Sequence, residues 1–152
     1  MSDLHMPTHA GDPYNLQRFL DAQDTVYQTV LSELRAGRKQ THWSCYIFPQ
    51  VRGLGSSPMS VRFAIGSLAE ARAYLAHPVL GARLRDCVDA MNAHAGLGAS
   101  RILGEIDARK FRSSLILFAR VDVSGTLFGD ALETFFSGEP DAATLAILVA
   151  SD

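Results

Sequence analysis

The chain has 152 residues, of which 47% are hydrophobic and 20% charged, a composition typical of one globular domain rather than of a disordered chain. A chain of this length buries roughly 70% of its unfolded surface, so it forms a core without metals or disulfides. The formal net charge of −2 argues against a dedicated binder of nucleic acids or anionic membranes, because such proteins usually carry a basic surface.

The two cysteines, Cys45 and Cys87, form neither a C-x-x-C pair nor a zinc-ligand spacing. Isolated thiols fit a reducing compartment, and residues 1–11 lack the apolar segment of a signal peptide. No apolar run approaches the ~20 residues of a membrane span. We therefore predict a soluble cytoplasmic protein with no metal or other cofactor, and the sequence leaves its oligomeric state open.

Residues 1–11 are predicted to be a flexible tail, and residues 12–150 a single all-α domain of about eight short helices. Each predicted helix begins at a capping residue or at proline, and apolar residues recur at helical spacing after it. The predicted helix starts, in chain order, are Asp12, Asp24 or Thr25, Ser57, Ser67, His77, Asp107, Ser124 and Pro140. Residues 38–57 are predicted to be irregular, and residues 100–103 to form one short turn. The helix capped by Asp107 is apolar all round at residues 115–119, so we expect it to cross the centre of the core.

The segment of residues 42–50 combines aromatic and polar side chains. Trp43 and Phe48 could stack against a base or a sugar ring, His42 could transfer a proton near neutral pH, and Gln50 could recognise a polar ring edge. The simpler interpretation is that the aromatic residues belong to the core, since aromatic side chains dominate core burial.

A second candidate lies on the helix that Asp107 is predicted to cap. Lys110, Ser113 and Ser114 share one helical face at i, i+3 and i+4, so one cation and two hydroxyls could hold a phosphate or a carboxylate. The alternative is structural: the lysine is solvated, and the serines bond to the preceding turn.

Two weaker signals lie in or near the aromatic segment. Cys45 and His42 are one helical turn apart if the segment is helical, as a nucleophile and its base would be, but a buried cysteine is usually inert. Residues 53–58 form a glycine-bearing loop before a helix start. They lack both the P-loop pattern and the dinucleotide-binding pattern, so they are best interpreted as a loop.

Runs of residues spread over the whole chain resemble the bacterial family catalogued as domain of unknown function 1810. The resemblance extends from about Asp12 to Leu148 and implies an all-helical fold, but it implies no settled activity. The runs that carry it are Asp12-Pro13-Tyr14-Asn15-Leu16-Gln17-Arg18-Phe19, Ala22-Gln23, His42-Trp43, Ile47-Phe48-Pro49-Gln50, Gly53-Leu54-Gly55-x-Ser57, Glu70-Ala71-x-Ala73-Tyr74-Leu75-x-His77-Pro78-x-Leu80-Gly81-x-Arg83-Leu84 and Lys110-x-x-Ser113-Ser114-x-x-Leu117-Phe118.

Two positions depart from the pattern of that family. Cys45 stands where the family usually has a second tryptophan, and Ile116 where it usually has threonine. An aromatic-proline segment followed by a Lys-Phe helix is also faintly similar to the NADAR family, which processes ADP-ribose conjugates. This second likeness is an analogy and does not establish a function.

The leading hypothesis is a small-ligand site between residues 42–50 and 107–118, for a nucleotide or an ADP-ribose derivative. In it, aromatic side chains stack, Gln50 reads polar edges, and an anionic group is held by Lys110, Ser113 and Ser114. If a bond is hydrolysed, His42 or Asp107 is the acid/base candidate. The alternative hypothesis is an interaction or structural module without a catalytic site.

Overall fold

The computed structural model describes residues 11–139 and 141–151. Ten α-helices and one short 3-10 helix, at Ala95–Leu97, account for most of these residues. The α-helices are α1 (Gln17–Gln23), α2 (Tyr27–Arg35), α3 (Ser44–Ile47), α4 (Pro58–Arg62), α5 (Leu68–Ala76), α6 (Leu80–Asn92), α7 (Ala99–Leu103), α8 (Glu105–Val121), α9 (Leu127–Phe136) and α10 (Ala142–Ser151). The predicted tail, apart from Gly11, lies outside the described residues.

The all-α prediction is confirmed, with ten helices in the described ranges instead of about eight. One addition is α3, a single turn inside the segment predicted to be irregular. The other is α7, which the sequence indicated only as a short turn. The one β-type contact in the described part of the chain is an isolated parallel bridge between Val51 and Ile65. No helix in these ranges is both long and apolar enough to cross a lipid bilayer.

Helix α8 lies at the centre of the molecule, as its apolar run predicts. It packs against α3, α5, α7, α9 and α10, and Leu115, Leu117 and Phe118 are at most 1% exposed. At its N-terminal half, the ring of Phe111 lies 4.7 Å from the ring of Phe48. Residues 113–118 are buried on every face of the helix, as a segment surrounded on all sides requires, whereas Glu105, Arg109 and Arg120 of the same helix are exposed.

The N-termini of α1 and α8 differ from the sequence prediction. Helix α1 begins at Gln17 rather than at Asp12, because Asn15 has a positive φ of 53° and interrupts a helical start. Asp12 still caps the helix, since its carboxylate accepts the backbone N–H groups of Leu16 and Gln17 at 2.8 Å each.

The predicted capping role of Asp107 is wrong. Helix α8 begins at Glu105, after Gly104 with a φ of 88°, a backbone conformation that glycine adopts without strain. Asp107 therefore lies within the first turn, and its carboxylate points to side chains rather than to the helix end.

A buried hydroxyl pair attaches α10 to α8. Thr144 Oγ1 lies 2.9 Å from Ser113 Oγ and 2.7 Å from Asp141 Oδ2. A hydroxyl has one proton, so Thr144 donates to the carboxylate and accepts from Ser113. Asp141 also accepts the backbone N–H of Thr144 at 2.9 Å, and α10 begins at Ala142, two residues after the predicted start at Pro140.

Candidate functional site

An open cleft of about 200 Å³ lies between α3 and the first turns of α8, with α4 at its mouth. We refer to it as the α3–α8 cleft. Its walls combine basic, hydroxyl, thiol and aromatic side chains, which is the mixture expected of a site for a small polar ligand. The lining residues are Lys39, His42, Trp43, Ser44, Cys45, Tyr46, Ser57, Met59, Asp107 and Lys110.

Two lysines share one carboxylate in this cleft. Lys39 Nζ lies 2.9 Å from one oxygen of Asp107, and Lys110 Nζ lies 3.5 Å from the other. The side chain of Lys39 is only 7% exposed, whereas that of Lys110 is 24% exposed. Lys39 is therefore the tightly held partner of Asp107, and Lys110 is the looser one.

The lysines keep Asp107 ionised. Partial burial alone raises the pKa of Asp107, but the hydrogen bond and the charge of Lys39, together with the charge of Lys110, outweigh it. The net result is a pKa below its ordinary value, as an opposite charge within a few ångströms produces. At neutral pH Asp107 can accept a proton or a hydrogen bond but has no proton to donate.

A buried hydroxyl and a thiol lie beside this ion cluster. Ser44 is 4% exposed, and its hydroxyl has no hydrogen-bond partner of good geometry among the described residues. It is nevertheless close enough to Asp107 to help lower the pKa of that carboxylate. Cys45 Sγ lies 3.6 Å from Lys110 Nζ and 3.8 Å from Ser60 Oγ. The Ser44 hydroxyl thus lies beside the carboxylate of Asp107, which is the acceptor within its reach.

Glu33, on α2, holds the loop that forms one wall of the cleft. Its carboxylate accepts the backbone N–H groups of Gln40 and Thr41, at 2.7 and 3.0 Å, and the hydroxyl of Thr41 at 2.7 Å. The indole N–H of Trp43 donates to the same carboxylate at 3.0 Å. Burial raises the pKa of Glu33, but these four hydrogen bonds outweigh it and lower the pKa to about 2. A carboxylate that accepts this many hydrogen bonds stays ionised and holds its hydrogen-bond partners in place.

Four of the eight residues predicted from the sequence line the cleft. They come from the two segments that the leading hypothesis paired, the 42–50 segment and the first turns of α8. The four are His42, Trp43, Asp107 and Lys110. Their assigned roles in binding or proton transfer stay predictions, but a shared cleft is the arrangement that those roles require.

Phe48 and Gln50 lie outside the residues that line the cleft. The ring of Phe48 is fully buried between Trp43 and Phe111, as the core interpretation of the aromatic residues describes. The backbone carbonyl of Gln50 accepts the N–H of Ile65 at 2.8 Å, while its side chain is half-buried. Trp43 is itself only 2% exposed, with Lys39 Nζ 5.1 Å from its ring centre. It therefore offers the cleft an edge rather than an open face.

Ser113 and Ser114 are also absent from the lining of the cleft, although they share a helical face with Lys110. Each serine is 2% exposed. Ser113 bonds to Thr144 of α10, and the Ser114 hydroxyl is buried without a partner among the described residues. The second departure from the family pattern, Ile116, is 7% exposed in the core, whereas Cys45 is in the cleft.

Three residues of this region were not predicted from the sequence as part of a site: Lys39, Ser44 and Glu33. Lys39 follows the end of α2, where a cation is expected for the helix dipole alone, and only the fold brings it to Asp107. Glu33 lies in a helix whose sequence gives no sign that a carboxylate is buried. Ser44 could have been noticed as a polar residue within an aromatic run, since a buried hydroxyl requires a partner.

Comparisons with other proteins identify relatives but no activity. The model of the family described as protein of unknown function (DUF1810) matches residues 13–148. The crystal structure of the conserved hypothetical protein Rv1873 from Mycobacterium tuberculosis is similar, at 46% sequence identity and a TM-score of 0.88. The match covers 91% of this chain and 99% of that one. No curated protein is significantly similar to the chain.

Proposed function

Because the chain belongs to the DUF1810 family of proteins of unknown function, its role must be inferred from the cleft, and we propose that the cleft binds a nucleotide or an ADP-ribose derivative. The observation that carries the proposal is the pair of lysines on Asp107, of which Lys110 is partly exposed at the cleft. A phosphate oxygen accepts hydrogen bonds from ammonium and hydroxyl groups alike.

Lys110 is the cation that such a ligand engages. Its distance to Asp107 is 3.5 Å, against 2.9 Å for Lys39, and its side chain is the more exposed of the two. Turning Lys110 toward a phosphate therefore disturbs little, because Lys39 continues to neutralise Asp107. Exposed ion pairs contribute at most about 1 kcal/mol, which a phosphate contact readily exceeds.

The size of the cleft determines which part of the ligand enters. Its volume of about 200 Å³ is below the roughly 300–1,000 Å³ of pockets that enclose a whole drug-sized molecule. A phosphate with part of its ribose fits, and the base then lies at the mouth. Met59, which is 44% exposed there, offers apolar contact to a ring, while Trp43 contributes its edge.

If the ligand is hydrolysed, His42 is the residue that transfers protons. Asp107 is ionised at neutral pH and already shared by two lysines, so its role is to orient Lys110 rather than to supply a proton. His42 is exposed and lines the same cleft. Turnover that is lost in His42→Gln while binding persists would assign the proton transfer to this residue.

Thermal unfolding with ADP-ribose, AMP, ADP and adenosine tests the proposal. A ligand at about 100 times its Kd stabilises by about 2.7 kcal/mol, which raises the Tm of a chain this size by roughly 5–10 °C. We expect a rise for the phosphorylated compounds and none for adenosine at equal concentration. Lys110→Ala should abolish the rise. Arg109→Ala, at the exposed neighbouring position of α8, should preserve it.

Two results would contradict the proposal. One is the absence of any Tm rise at millimolar phosphorylated ligand, which would favour an interaction or structural module in which the ion cluster only stabilises the fold. The other is a rise that persists unchanged in Lys110→Ala, which would place the binding site elsewhere.

A further inference from the structure

We propose that a second cavity, between the start of α1 and the end of α5, binds a small uncharged ring compound through one hydrogen-bond donor and one acceptor. The cavity has a volume of about 340 Å³, which reaches the range of roughly 300–1,000 Å³ typical of small-molecule pockets. We refer to it as the α1–α5 cavity. Among the described residues it shares no lining residue with the α3–α8 cleft, so the proposal does not depend on the ligand proposed above.

The imidazole of His77 supplies the donor of this cavity. Its Nδ1 accepts the backbone N–H groups of Val79 and Leu80, at 3.1 and 3.2 Å, at the N-terminus of α6. A ring nitrogen that accepts a hydrogen bond carries no proton, so the hydrogen of the ring is on Nε2. Within the described ranges Nε2 has no hydrogen-bond partner of its own. The two bonds at Nδ1 therefore fix the ring and leave its N–H available to a ligand.

The carboxylate of Asp12 supplies the acceptor. Its two oxygens accept the backbone N–H groups of Leu16 and Gln17, at 2.8 Å each. Because a carboxylate oxygen can accept more than one hydrogen bond, each oxygen retains capacity for an N–H group of a ligand. Asp12 is held at the start of α1 as His77 is held at the start of α6, so folding fixes both polar groups before a ligand arrives.

The other walls of the cavity are mainly apolar. Leu16, Leu20 and Ala73 contribute to them together with the ring of Tyr14. Leu20, Ala73 and Tyr14 are partly buried side chains that pack against the core. Apolar walls with a few fixed polar groups are typical of sites for small molecules, in which the walls contact the body of the ligand and the polar groups orient it.

The charges of the lining determine the class of ligand. Asp12 is the one charged side chain among the described lining residues, because His77 accepts at Nδ1 and is therefore a neutral ring. An anion would be repelled by the carboxylate. An ammonium group would be attracted to it but has no acceptor for the N–H of His77. A carboxamide or a nucleobase-like ring carries an acceptor and an N–H donor without a net charge, and so satisfies both groups.

The test titrates the isotope-labelled full-length protein with benzamide and follows backbone amide and imidazole nitrogen signals by NMR. Benzoate and benzylamine are matched controls, because they have the same ring but a negative and a positive charge. We expect benzamide to shift the amide signals of Tyr14 and Ala73 and the Nε2 signal of His77, while the amide of Lys110 in the cleft stays unchanged. Its Kd, of millimolar order for a fragment of this size, should be about fivefold lower or more than that of either control.

Two variants separate binding from folding. In His77→Asn the side-chain oxygen can accept the N–H groups of Val79 and Leu80 as a helix cap, but the shorter side chain does not bring a donor to the position of Nε2. We expect a nearly unchanged Tm and a benzamide Kd that rises about fivefold or more. Ala73→Leu fills the cavity and should abolish the shifts. Ala76→Leu, at an exposed position of α5 outside the lining, should preserve them.

The proposal is overturned if millimolar benzamide shifts no signal of the cavity. It is also overturned if benzoate binds as tightly as benzamide, since Asp12 and His77 would then select nothing. Unchanged binding in His77→Asn would remove the assigned donor, and unchanged binding in Ala73→Leu would place the compound elsewhere. Each of these results leaves the proposal for the α3–α8 cleft unaffected, because the probe and the variants lie outside it.

Discussion

The carboxylate of Glu33 accepts the indole N–H of Trp43 at 3.0 Å while it also accepts two backbone N–H groups of the preceding loop. One side chain of α2 therefore fixes both the path of the loop and the orientation of the aromatic ring that borders the cleft. The geometry of the site thus depends on a residue that does not line the cleft.

We expect Glu33→Gln to lower the free energy of unfolding by about 2 kcal/mol. The amide keeps one acceptor oxygen but turns an NH₂ group toward donors that need acceptors, and buried donors without partners cost about 1–3 kcal/mol. Urea unfolding followed by tryptophan fluorescence measures the change, since Trp43 is the one tryptophan of the chain. Glu105→Gln, on an exposed residue, is the control, and equal stability of the two variants would contradict the prediction.

The stability of the protein should fall in acid through Glu33. Its pKa is lowered from 4.5 to about 2 in the fold, so the unfolded state binds the proton more readily. The stabilisation is therefore fully present above pH 4.5 and is lost as the pH falls from 4.5 toward 2. The contribution is on the order of 3 kcal/mol. Between pH 3 and 7, the free energy of unfolding should change more with pH in the native chain than in Glu33→Gln. Unfolding curves recorded across this pH range measure the difference.

We expect Asp107→Asn to destabilise the protein by about 2 kcal/mol and Lys110→Gln by less than about 1 kcal/mol. Removing Asp107 leaves the 7% exposed side chain of Lys39 without its carboxylate, and an unpaired buried charge is costly. Removing Lys110 costs less, because its ion pair with Asp107 is partly exposed and contributes little to stability. Chemical unfolding at low and at high salt measures the free energy of unfolding of both variants. A larger loss for Lys110→Gln would reverse the assignment of the tight and loose lysines.

Gly81→Ala should destabilise the protein by about 2 kcal/mol or more. A Cβ at this position would overlap the backbone carbonyl oxygen of Leu75, and backbone at the packed junction of α5 and α6 has little room to move. Gly129→Ala is the matched control, because nothing lies within 4 Å of its Cβ and alanine favours an α-helix by about 1 kcal/mol. In thermal unfolding, the Tm should fall in Gly81→Ala and rise in Gly129→Ala.

Thr144→Val should weaken the attachment of α10. The change removes the hydroxyl that bonds Asp141 and Ser113, and a buried Ser113 hydroxyl without its partner costs about 1–2 kcal/mol. Amide hydrogen exchange should become faster in α10 while α8 retains its protection. Adding Ser113→Ala should recover part of the lost stability, and a fully additive double variant would contradict the coupling.

The sequence predicted the parts of the fold that depend on local chemistry. The periodicity of apolar residues indicated the helices, and the run in α8 indicated its central position, because these signals act within one element. It missed α3, since a helix of four residues has too little sequence for a periodic pattern. It also misplaced the start of α8, because the positive φ of Gly104, rather than the nearby carboxylate, determines where the helix begins.

The candidate site was predictable in its location but not in its composition. The paired segments do meet, and His42, Trp43, Asp107 and Lys110 share the cleft. The approach of Lys39 to Asp107 depends on the path of a loop held by Glu33, which is a tertiary arrangement that no spacing in the chain records. Ser113 shares a helical face with Lys110 but does not line the cleft, because α10 packs over that part of α8.

The shared carboxylate of Asp107 has a consequence for charge selectivity. Two ammonium groups and one carboxylate leave the ion cluster with a single positive charge, which one phosphodiester oxygen or one carboxylate of a ligand neutralises. A ligand that carries negative charge, as the proposed nucleotide or ADP-ribose derivative does, is attracted to this net positive charge, and salt should weaken that attraction.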